Sequence, residues 1–135
     1  MTDVERANLE LVRDYLRALE AAATGEALAR FFAADVVQIE LPNRLHPSGG
    51  RSDLARLLER AERVPDLLRA QRYEVRSELA SGARVVVEAV WTGVLAVPFG
   101  AVPAGTEMKA HFAMFFEIAE GRITVQRNYD CFEPW

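Results

Sequence analysis

The chain has 135 residues, a net charge of −4 and an apolar half, the profile of one ordinary domain large enough to bury its own core. Its charges are interspersed, with Lys109 the one lysine and Cys131 the one cysteine. A nucleic-acid surface, an internal disulfide framework and a multi-cysteine metal site are therefore excluded as expectations. The N-terminal MTDVERANLELV lacks a secretory core and no apolar run approaches a membrane span, so a cytoplasmic protein that engages no membrane is expected.

Val4, Leu11, Val12, Tyr15, Leu16, Leu19 and Ala23 recur at three- and four-residue steps, which predicts a helix over 3–23 with one apolar stripe. Thr2 or Asp3 can cap it and Gly25 ends it. A short helix over 26–32 follows, burying Leu28, Phe31 and Phe32. Residues 36–41 alternate as a strand, with Val37, Ile39 and Leu41 on one face and Val36, Gln38 and Glu40 on the other. Pro42 stops it, and PNRLHPSGG reads as a loop. Ser52 can cap a helix over 53–70 whose stripe is Leu54, Leu57, Leu58 and Ala61, with Pro65 expected to kink or split it.

The last third reads as a meander of long strands over 72–80, 85–95, 108–118 and 122–130. Ser81-Gly82, the segment 98–105 and Glu120-Gly121 supply the turns. In the final strand Thr124, Gln126, Asn128 and Asp130 alternate with Ile123, Val125, Arg127 and Tyr129. One face would then present a hydroxyl, two amides and a carboxylate. Helices first and an antiparallel meander after them indicate an α+β domain spanning residues 1–135.

This order, with FFAADVVQIE at 31–40, GGRSDLARLLE at 49–59 and EGRITVQRNYD at 120–130, resembles the nuclear transport factor 2-like superfamily. Ketosteroid isomerases, SnoaL-like polyketide cyclases and limonene epoxide hydrolase belong to it. The resemblance implies a cone-shaped, curved, mostly antiparallel sheet wrapped around the N-terminal helices, with a central apolar pocket. It also implies a homodimer formed through the outer face of the sheet. Glu40 matches the general base of the isomerases, and Tyr15 matches their oxyanion-binding tyrosine. Their second donor, an aspartate on the third long strand, has no counterpart in AHFAM at 110–114. The catalytic aspartate of the epoxide hydrolase aligns with Asn128, and the cyclase aspartate lies one residue from Asp130.

The residues therefore suggest acid–base chemistry on an apolar cyclic or carbonyl-bearing molecule, with no cofactor and no metal. Glu40 or Asp130 would take or relay a proton. Tyr15, with His111 or Asn128, would stabilise an oxyanion. Gln126, Asn128, Trp91 and Phe112 are candidate ligand-binding residues. Glu40 equally suits the solvent face of a short strand, and His111 a structural hydrogen bond. His46, in the 42–50 loop, is placed at the surface or the pocket mouth. A non-catalytic binding module of the same fold is the alternative.

Overall fold

Thr2 opens the first helix by a reciprocal capping box. Its side-chain oxygen accepts from the Glu5 amide at 3.1 Å, and the Glu5 carboxylate accepts from the Thr2 amide at 2.8 Å. In this computed structural model, which describes residues 1–135, helix α1 spans Asp3–Glu20 and buries Leu9, Val12, Tyr15 and Leu16. It stops short of Ala23. Ala22 enters the left-handed region at φ 55°, and the Ala23 amide returns to the Ala18 carbonyl at 3.0 Å, a helix-ending turn usually built on glycine. Gly25 instead precedes α2 (Glu26–Ala29).

Strand β1 (Phe32–Glu40) begins four residues before the expected 36, because Phe32 already pairs with Ile123 near the far end of the chain. Its last residues also pair with β2 (Gly50–Ser52), which the glycines and prolines of the loop conceal in the sequence. Asp53, rather than Ser52, caps α3 (Leu54–Leu67), accepting from the Arg56 amide at 2.9 Å. Pro65 falls in the last turn, so the helix runs past it by two residues and passes directly into β3 (Leu68–Ser81). Then come β4 (Arg84–Leu95), β5 (Glu107–Ala119) and β6 (Arg122–Phe132).

The strands form one open, curved, mixed sheet in the order β2-β1-β6-β5-β4-β3. Every neighbouring pair is antiparallel except β1 with β6, which keeps the sheet mostly antiparallel, as expected. α1 packs against β3 and β4, and α3 against β1 and β3. The core lies between these helices and the inner face, where Val85, Val87, Phe112, Met114 and Phe116 alternate with outward residues. Burying each such large side chain contributes about 2 kcal/mol.

A bulge changes the reading of β6. Ile118 pairs with Ile123 and Glu117 with Val125, so Thr124 is the extra residue. Its hydroxyl donates to the Glu117 carbonyl at 3.1 Å. Ile123 and Gln126 are therefore both buried, and the inward polar ladder starts at Gln126, not at Thr124.

Candidate functional site

The parallel β1–β6 pairing sets Gln38 beside Gln126 and Glu40 beside Asn128. Both pairs face inward, into a cavity of about 200 Å³ walled by the sheet, α1, α2, α3 and the 41–49 loop. Buried Gln126 is the hub. Its amide oxygen accepts from the Tyr15 hydroxyl at 3.0 Å and from Gln38 Nε2 at 3.1 Å, and its Nε2 donates to Asn128 Oδ1 at 3.0 Å. Arg60, one turn along α3 from buried Leu57, donates to Gln38 Oε1 at 2.5 Å and to Ser52 Oγ at 3.2 Å. An unbroken chain of hydrogen bonds thus runs from Arg60 to Asn128 and fixes the orientation of each amide.

Glu40 takes the next position on β1. Its Oε2 accepts from Asn43 Nδ2 at 2.7 Å and lies 3.7 Å from His46 Nε2. Both partners come from the 41–49 loop, whose turn closes at Gly49 (φ 68°), where a Cβ would lie 2.5 Å from the Glu40 carbonyl. Asp130 follows Asn128 on the inward face, opposite Phe112. Its Oδ1 is buried with no hydrogen-bond partner. Burial, followed by the Glu40 carboxylate, pushes the Asp130 carboxyl up to about 7, so near neutrality it can both hold and release a proton.

Beyond Asp130 the inner face turns aromatic. Trp91 stacks on Phe112 with centroids 5.7 Å apart, and Phe132 meets both edge-on. Gly93 permits this, since a Cβ there would strike the indole at 2.5 Å. Gln71, on the cavity wall, accepts from Trp91 Nε1 at 2.9 Å. Tyr73, also on the wall, packs against Phe112 at 6.1 Å. Burial raises its phenol far above the ordinary tyrosine range, with smaller contributions from Tyr15 and Asp130. Its hydroxyl makes no hydrogen bond to protein, unlike that of Tyr15. Burial pushes the Tyr15 phenol up to about 12, partly offset by the bond to Gln126.

Of the residues singled out in the sequence, Tyr15, Glu40, Gln126 and Asn128 meet on the cavity wall. Asp130 lies behind that wall, within electrostatic reach of Glu40 and Tyr73. Trp91 and Phe112 form the aromatic floor next to it rather than the wall itself. His111 is elsewhere. It is one residue from inward-facing Phe112, so strand alternation turns it to the outer face, where Nε2 lies 2.9 Å from Glu133 Oε2. His46 does reach the wall. Sequence reasoning passed over Gln71, Arg60 and Tyr73. The helical signal for Arg60 was present, since it sits three residues after Leu57 and four before Val64, both on the wall.

No cluster of three His, Cys, Asp or Glu side chains is placed to hold a metal ion, and no helix is long and apolar enough to cross a membrane.

Helices packed on a curved, open, mixed sheet, here over a cavity of mixed apolar and polar lining, match the nuclear transport factor 2-like fold. AclR of Streptomyces galilaeus, a candidate hydroxylase, is similar, with a TM-score of 0.78 and 15% identity over 96% of this chain and 82% of that one. A candidate SnoaL-like polyketide cyclase from Jannaschia sp. CCS1 has a TM-score of 0.76 and 19% identity over 96% and 89% of the two chains. A candidate polyketide cyclase from Xanthomonas campestris pv. campestris has a TM-score of 0.73 and 25% identity over 94% and 92%. No curated protein matches the chain. The SnoaL-like domain matches residues 12–126, and the chain belongs to that family.

Proposed function

We propose that this chain is an acid–base catalyst, a cyclase or isomerase working on an apolar, cyclic, carbonyl-bearing molecule held in the cavity. The observation that carries the reading is the Asp130 carboxyl, with one buried oxygen unpartnered and a second carboxylate, Glu40, within electrostatic reach. A base of this kind removes a proton next to a carbonyl, and the resulting enolate carbon is reprotonated or closes a ring. Tyr73 brings a phenol that no protein group occupies, and it is the donor we assign to the developing oxyanion. The Tyr15 proton is already directed at Gln126, which gives Tyr15 a positioning role. Asn128, held by Gln126, orients the ligand in front of Glu40, with Asp130 behind the wall to relay the proton. Membership of a family whose solved neighbours include candidate polyketide cyclases supports the same class.

The test is turnover of a panel of cyclic ketones and lactones by the wild type, Asp130→Asn, Glu40→Gln and Tyr73→Phe. Loss of the base should lower kcat by about a hundredfold or more. Turnover that survives both carboxylate changes sinks the acid–base reading. Binding without turnover across the panel favours a non-catalytic binding module, a reading that draws on the position of Asp130 behind the cavity wall.

The reading extends to assembly and location. Leu79 is 69% exposed and Tyr129 43% exposed on the outer face of the sheet, where Tyr129 meets Phe115 edge-on at 5.5 Å. A second copy of this chain is the cover we assign to that face. The exposed free thiol of Cys131 suits the reducing cytoplasm.

A further inference from the structure

Arg60 is left over from the chemistry described so far. Arg13, Arg17, Arg63 and Arg127 each pair with a carboxylate. Arg60 has none within ion-pairing distance, and its partners are two neutral, buried side chains, Gln38 and Ser52. Those bonds hold the guanidinium at the cavity wall and use two of its five N–H donors. Its side chain is part of the cavity wall while the residue remains exposed. The positive charge is felt inside the cavity, where it lowers the Tyr15 phenol against the effect of burial.

The carboxylates lie further along the two strands than the residues Arg60 binds. Glu40 is two residues beyond Gln38 on β1, and Asp130 four beyond Gln126 on β6, or about 7 Å and about 13 Å along the strands. An anionic group beside Glu40 and Asp130 would face like charge. Beside exposed Arg60 it would stay partly hydrated and meet a preoriented, permanently charged fork.

We propose that Arg60 captures a carboxylate at one end of the ligand, so that the molecules this site takes are cyclic compounds with an apolar body and one anionic group. The inference rests on the reading of the cavity as a small-molecule site. Anchoring at Arg60 sets which ring atom reaches the Glu40–Asp130 end. The cavity of about 200 Å³ lies below the usual range of ligand sites, about 300–1,000 Å³, which limits the body to about two rings.

Calorimetric titration with naphthoate and with naphthamide tests it on the wild type, Arg60→Gln and Arg60→Lys. The wild type should bind naphthoate at least about tenfold more tightly than naphthamide. Arg60→Gln should erase that preference, read as the ratio of the two affinities, and Arg60→Lys should keep part of it. A wild type that binds both equally, or a preference that survives Arg60→Gln, overturns the anion site while leaving the small-molecule reading intact. Binding of neither compound overturns both.

Discussion

Asp130 holds an oxygen that no protein group satisfies, and this has a measurable consequence for stability. An aspartate in the unfolded chain titrates near about 3.9, whereas in the fold Asp130 is pushed up to about 7. Between those values the folded state binds the extra proton, so the contribution of Asp130 to stability is present at low pH and is lost as the pH rises through about 7. Asp130→Asn should therefore match the wild type near about pH 4 and exceed it by on the order of 4 kcal/mol at about pH 8. Urea denaturation at the two values reads this directly, and a difference independent of pH would show that the carboxyl is not raised. Activity carried by this base should rise through the same window. The residue scale also separates the two tyrosines, since one hydroxyl is spent on Gln126 and the other is free.

Among the elements, the 41–49 loop governs the site most directly. Asn43 orders it by accepting from the Leu45 and His46 amides at 2.9 and 3.1 Å, and also donates to Glu40. The loop can turn back to β2 only because position 49 has positive φ and no Cβ. Gly49→Ala should cost about 1–3 kcal/mol and should weaken ligand binding through displaced Glu40 partners. Thermal unfolding together with titration checks this, and an unchanged melting temperature would show that the loop tolerates the added carbon. Pro65 teaches a related point. A proline costs a helix one backbone hydrogen bond, which does little harm in a last turn that hands the chain straight to β3.

For the whole molecule, the inner face is fully employed by core and cavity, while the outer face keeps Leu79 and Tyr129 in the open. A stable dimer needs about 800 Å² buried per partner, and the outer faces of β3 to β6 supply a broad surface for it. Light scattering should find a dimer for the wild type and a monomer for Leu79→Glu combined with Tyr129→Glu. A monomeric wild type would remove the assembly proposal without touching the cavity.

Periodicity and turn residues were enough to determine the order of the helices and long strands, the family resemblance, and the polar run Gln126-x-Asn128-x-Asp130, because each is written in neighbouring residues. Where pairing between distant segments decides, that signal ends. The early start of β1 and the existence of β2 depend on β6 and β1, and neither leaves a local mark. The bulge at Thr124 shifts which residues face inward, and alternation alone placed Ile123 on the wrong side. Only the tertiary structure set Glu40 beside Asn128 and near Asp130, turned His111 away, and brought Arg60 and Tyr73 to the cavity. The physical reason is that a side chain's direction follows from its own strand or helix, whereas its electrostatic and hydrogen-bonding neighbours come from segments far along the chain.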